Sequence, residues 1–245
     1  MSSLIPISYK NHATKRWITP NSFEFVREKN LLPVVIDELN QVILEMPIVF
    51  VEHNDKFILC ALLGYHPNIN LFVAENGKWK ADYVPQILKK WPFYSFSNKN
   101  NELVLCVDEN SDQISEFEGQ PFFDNKGNPS SQIKKMITFI QHYEYNNIMT
   151  ENACSILNKY NLIKPWPAVV DKRKLNNIYK IDEKSLNNLS DEDYLALRKH
   201  GAIYIAHCQL ISQHQLKALS RLSFQKEPDL QQIENLDINW SMITR

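Results

Sequence analysis

Five glycines serve all 245 residues, beside twelve prolines. Glycine enters positive-φ backbone without steric cost, so a chain this poor in it must build most turns from Asn, Asp and Pro. The same scarcity argues against a phosphate-cradling loop, in which glycines let the backbone approach the ligand. No Walker A, G-x-G-x-x-G, G-x-S-x-G or H-E-x-x-H pattern occurs in the chain. The fold is therefore read from the places where polar turn residues interrupt apolar runs.

The first half reads as antiparallel hairpins. Pro47–Val51 and Lys56–Gly64 are apolar runs joined by Glu52-His53-Asn54-Asp55, which has hairpin turn chemistry. The length of the second run predicts burial on both faces. Asn70–Ala74 leads into Asn76-Gly77, a strong hairpin signal, so a returning strand is expected from Trp79 onward. Phe93–Ser97 and Glu102–Val107 form a further pair across Asn98–Asn101, and Pro85 opens a short helix through Lys90.

The second half reads as mainly helical. Asn128-Pro129 gives a cap and then a proline at the first helical position. Ile133, Met136, Ile137, Ile140 and Tyr143 follow with helical spacing, with a break expected at Asn146-Asn147. Short strands are expected at Ala168–Val170 and Ile178–Ile181. Ser190-Asp191-Glu192-Asp193 has the hydroxyl cap and first-turn acids of a helix start, and Arg198-Lys199-His200-Gly201 the cations and glycine of its end. A last helix should run from about Ala202 to Leu222. The expected fold class is α+β, a β-rich N-terminal half packed with a mainly helical C-terminal half. No linker is visible, so residues 1–224 read as one domain and 225–245 as a tail.

Net charge is −1 at pH 7, which gives no electrostatic reason to expect nucleic acid or an anionic membrane as partner. No apolar run approaches the roughly 20 residues of a transmembrane helix. The opening residues are too polar for a signal peptide and no lipidation pattern is present, so the expected compartment is the cytoplasm. Cys60, Cys106, Cys154 and Cys208 form no C-x-x-C motif, and three of them lie inside apolar runs, where a thiol packs as a small hydrophobe.

An ordered set of short motifs carries a resemblance. They are Pro47-Ile48-Val49-Phe50-Val51, Ala61-Leu62-Leu63-Gly64, Asn70-Leu71-Phe72-Val73, Trp79 with Tyr83-Val84-Pro85, and Trp91-Pro92-Phe93. Cys106-Val107-Asp108-Glu109 and Glu118-Gly119-Gln120-Pro121-Phe122-Phe123-Asp124 follow, then Ile181-Asp182-Glu183, Leu189-Ser190-Asp191-Glu192 and Arg198-Lys199-His200-Gly201-Ala202. With these motifs the chain resembles the SapC-like family of bacterial proteins over roughly residues 5–222. The resemblance implies an association with surface-layer protein loci and carries over no catalytic residue. Where relatives have a His-Leu-x-Ser element, this chain has Gln209-Leu210-Ile211-Ser212.

Four features are candidates for function. The stretch from Asp108 to Asp124 holds six acids (Asp108, Glu109, Asp112, Glu116, Glu118 and Asp124) and no base. Oxygen-rich loops bind hard cations, but the spacing fits no EF-hand, and a solvated acidic loop is the plainer reading. Trp79, Tyr83, Trp91 and Phe93 are aromatic anchors of the kind that dominate peptide binding, set against the ordinary reading that such rings fill a core. His53 and Asp55 match H-x-D, two arms of an iron-binding facial triad that His142, His200, His207 or His214 would complete; a hairpin turn explains them without metal. From Tyr194 to Lys226 no acid occurs, and a basic or histidine-bearing helix face there would suit an acidic partner. No catalytic motif and no cofactor are read. The expected function is recognition of a peptide or protein partner. The alternatives are a metal-dependent, 2-oxoglutarate-oxygenase-like peptide-modifying enzyme and a structural subunit of a surface layer.

Overall fold

The structure is a computed structural model that describes residues 4–98, 100, 103–170 and 173–224. The expected tail, 225–245, lies outside the described residues. Contacts group the chain into two compact units, each built from two segments: residues 1–21 with 87–145, and residues 22–86 with 146–245.

The second unit holds a five-stranded antiparallel sheet in the order Ile163–Pro165, Tyr179–Ile181, Ile48–His53, Lys56–Leu62, Leu31–Pro33. The expected hairpin is its centre. Asn54 and Asp55 take positive φ (49° and 60°) at the turn, which pairs His53 with Lys56 and sets the register back to Ile48 opposite Ala61. Ile48 through Val51 and Leu59 through Leu62 are buried without a break, so both faces of the hairpin are covered at that end. Each such Val, Ile, Leu or Phe contributes about 1.5–3 kcal/mol relative to exposure.

Helices Asp191–Lys199 and Ala202–Ser212 belong to this unit. Ser190 caps the first by accepting from the Asp193 N–H. Gly201 joins the two at φ 71°, where a Cβ would stand 2.7 Å from Ile36 Cδ1. The expected last helix is interrupted: after Ala202–Ser212 comes a 3₁₀ turn, Gln213–Gln215, and then helix Leu216–Phe224. Gln215 explains the interruption, because its Nε2 donates to the carbonyls of Ile43 (3.3 Å) and Leu44 (2.8 Å). The strand expected from Trp79 is reduced to one bridge, Val73 to Trp79. The Trp79 side chain is used locally instead, with Nε1 donating to the Tyr83 carbonyl and the ring stacked 5.5 Å from Phe72.

The first unit holds two small sheets. Leu4–Pro6, Leu103–Asp108 and Phe93–Ser97 pair antiparallel around Leu103–Asp108, and Arg16–Trp17 runs between Ile114–Ser115 and Gln120–Pro121. Helix Ser131–Lys159 begins in this unit and ends in the other. It starts two residues later than the Asn128-Pro129 signal, because Ser130 takes the cap by accepting from the Ile133 N–H. It also runs unbroken through Asn146-Asn147. Thr150 donates to the Asn146 carbonyl and Asn147 to the Glu151 carboxylate, so both asparagines bond along the helix instead of ending it. A β-rich first half with antiparallel sheets and a mainly helical second half are thus present. All four cysteines are buried and free.

Candidate functional site

The acidic stretch begins on a buried base. Trp17, Phe93, Val107, Phe122, Ile133 and Ile140 form one apolar cluster in the first unit. Trp17 meets Phe93 edge to face at 5.0 Å, and Phe93 meets Phe122 at 6.2 Å. Phe93, read from sequence as a possible anchor, is 1% exposed and belongs to this core.

Three of the six acids serve the fold. Asp108 is buried and accepts from the Asn110 N–H at 3.2 Å. Glu109 takes Lys15 Nζ at 2.6 Å and stands 3.2 Å from His12 Nε2. His12 is fully buried; its Nε2 is close to Glu109 but lacks the alignment of a hydrogen bond. Burial holds the His12 pKa below its usual value, against the opposing pull of the Ser8 backbone and the Glu109 charge. Asp124 accepts from the N–H groups of Lys126 and Asn128 at 2.9 Å each, closing a turn over Gly127 (φ 80°). Those donors hold its pKa below the ordinary carboxylate value.

Asp112, Glu116 and Glu118 are exposed. The last two bracket Phe117, which is 86% exposed, the most exposed large apolar side chain among the described residues. Its backbone is nonetheless held. Ser115 Oγ accepts from the N–H groups of Phe117 and Glu118, both at 3.1 Å. Gly119 takes φ 101° and lies so close to Trp17 that a Cβ would stand 2.4 Å from the Trp17 carbonyl oxygen. Arg16 donates to the Gly119 carbonyl at 2.9 Å. Residues 116–119 therefore cross the end of the Arg16–Trp17 strand on a fixed path, with an aromatic ring and two carboxylates turned to solvent.

The remaining candidates lie elsewhere. Trp79 and Tyr83 belong to the second unit, so the eight residues read from sequence do not assemble around one another within a single unit. Tyr83 donates its hydroxyl to Glu38 at 2.9 Å, and burial together with that carboxylate raises its pKa strongly. Trp91 is half-buried in the first unit, 5.9 Å from Tyr94. His53 closes the hairpin and Asp55 sits in its turn, and no three of His, Cys, Asp or Glu come together among the described residues. His200, His207 and His214 are exposed. Gln209 is fully buried, its amide bonded to the Ile181 N–H (3.0 Å) and the Ile48 carbonyl (3.2 Å), a structural use of the Gln-Leu-x-Ser element.

Phe117, His12 and Glu38 escaped the sequence reading. Phe117 left a trace in the Glu-Phe-Glu triplet between two short strands. His12 and Glu38 left none, since only tertiary packing buries them.

A model of the SapC family matches residues 7–219. No curated protein and no solved structure matches the chain. Among the described residues no helix is long and apolar enough to cross a membrane.

Proposed function

Since this chain belongs to the SapC family, and since its landmark acidic stretch presents an aromatic ring on a fixed loop, we propose that it is a cytoplasmic, non-catalytic recognition protein whose loop 116–119 grips a basic segment of a protein partner. Phe117 is the anchor that enters an apolar pocket of the partner, and Glu116, Glu118 and Asp112 select Lys or Arg around that pocket. The observation that supports this most directly is the 86% exposure of Phe117 on a backbone held by Ser115 and Arg16. A phenylalanine left in water gains nothing for its own fold, whereas an aromatic side chain presented on ordered backbone loses little entropy on binding. Charge around such an anchor raises encounter rate and sets specificity.

The test is selection of a displayed peptide library on the immobilised full chain, followed by titration of the selected peptides. Expected are Lys- or Arg-rich sequences with an apolar residue, bound more weakly as salt rises. Phe117→Ala should weaken them at least 30-fold with an unchanged melting temperature, and Glu116→Gln with Glu118→Gln several-fold. Equal binding by the Phe117→Ala protein would remove the proposal. Cell fractionation checks the compartment.

A further inference from the structure

A second surface lies wholly in the other unit. Leu44, Phe72, Lys80, Ala218, Arg221 and Leu222 line an open cleft of about 290 Å³. Helix Leu216–Phe224 forms one wall, and its spacing decides what that wall presents. Leu219 is buried, Ala218 and Leu222 are half-buried one turn apart, and Arg221 stands exposed between them in sequence. Leu44 is 65% exposed at the rim although Gln215 Nε2 holds its carbonyl at 2.8 Å. Phe72 is buried and stacked 5.5 Å from Trp79, which fixes the ring beneath. An apolar rim on ordered backbone loses little entropy when a partner covers it.

The charge at this cleft is unbalanced. Glu45, the one acid in the lining, spends its two oxygens on the N–H groups of Asp82 and Tyr83 at 2.8 Å each. Lys80 and Arg221 are exposed, and among the described residues no ion pair closes on either. Partial desolvation lowers the Lys80 pKa, and the Glu75 charge that opposes this is shared with Arg27. No acid occurs from Tyr194 to Lys226, so the helix wall brings Lys217 and Arg221 and no carboxylate. Apolar surface beside two unanswered cations matches a ligand that is itself both apolar and acidic. The open shape suits a chain segment laid along the helix, whereas a small molecule needs a pocket that encloses most of it.

We propose that this cleft docks an acidic, amphipathic segment of a protein partner. An apolar side chain of that segment packs against Leu44, Ala218 and Leu222, and its carboxylates pair with Lys80 and Arg221. This ligand is opposite in charge to the one drawn to loop 116–119, and the two surfaces share no residue and belong to different units. Either can hold without the other.

Panning a displayed library of 12-residue peptides biased to Asp and Glu on the immobilised full chain, followed by titration of the recovered peptides, tests this. Expected are sequences with a Leu, Phe or Trp among the acids, bound about tenfold more weakly when salt rises from 50 to 500 mM. Lys80→Glu combined with Arg221→Glu should weaken them about 30-fold and Leu44→Asp about tenfold, each at an unchanged melting temperature. If charge reversal lowers the melting temperature, Lys80→Gln with Arg221→Gln replaces it and should cost about fivefold. Recovery of no binding peptide overturns the proposal, as does binding that survives both the charge changes and Leu44→Asp. Sedimentation showing self-association that Leu44→Asp abolishes also overturns it, by giving the cleft to a second copy.

Discussion

Each unit buries a titratable side chain, and the two treat it differently. In the second unit Glu38 is 2% exposed and accepts from the Val35 N–H (3.0 Å), the Gln86 N–H (2.8 Å) and the Tyr83 hydroxyl (2.9 Å). Nearby, Ser212 Oγ accepts from the Ile48 N–H at 2.9 Å, so side chains close the backbone at the head of the central strand. In the first unit His12 has no exposure, yet its Nε2 lacks an aligned partner, as does Trp17 Nε1. The contrast is confined to the titratable groups, since each unit leaves two buried side-chain atoms unpaired, Asn30 Nδ2 and Gln86 Oε1 in the second as His12 Nε2 and Trp17 Nε1 in the first. Glu38 and Ser212 thus spend side-chain oxygens on backbone N–H groups of their own unit. In the first unit the buried imidazole nitrogen goes without an aligned partner, and the Phe117 ring stands in water.

The largest test of that contrast is Glu38→Ala. One buried and two half-buried donors lose their acceptor, so destabilisation of about 3 kcal/mol is expected in urea unfolding. A loss below about 1 kcal/mol would show the donors finding other partners and would break the comparison. Next, Phe122→Ala empties the centre of the first unit's cluster, with an expected cost of about 3 kcal/mol. If two transitions separate on heating, only one of them should move. Gly201→Ala, by contrast, asks a Cβ to enter positive-φ backbone against Ile36; about 1–2 kcal/mol is expected, read from the unfolding midpoint.

Acid separates the two buried groups by sign. The His12 pKa is lowered, so the unfolded chain takes the proton first, and stability falls as pH drops below about 6.5. Glu38 is raised, chiefly by burial, so the folded chain holds the proton longer, and its stabilising share is lost as pH climbs from about 4.5 through the folded value. His12→Gln should therefore flatten the rise of stability between pH 5 and 7, and Glu38→Gln should change the slope in the opposite sense. Slopes of the same sign would refute the assignment. The smallest effect is expected at the hairpin turn. Asp55→Gly keeps the positive φ and should move stability by less than about 0.5 kcal/mol. Neither protein should gain melting temperature from Fe²⁺ or Mn²⁺; a gain lost on substitution would revive a metal at His53 and Asp55.

What local chemistry governs was legible in the residues alone. Asn54-Asp55 makes its hairpin, and Ser190 and Gly201 bound their helix, because a turn or cap needs only neighbours in the chain. The misreadings fall where a distant partner intervenes. Gln215 reaches the Ile43 and Leu44 carbonyls and interrupts the last helix, while Trp79 packs on Phe72 in place of extending a strand. At the candidate site the sequence showed six acids in a loop but could not rank them. Asp108 and Asp124 are held by neighbours two to four positions on, but only the tertiary structure commits Glu109 to Lys15 and leaves Glu116, Phe117 and Glu118 in solvent. Exposure depends on what packs against a residue, and the partners that fix this loop from outside, Lys15 on Glu109 and Arg16 on Gly119, lie about a hundred positions away in the chain.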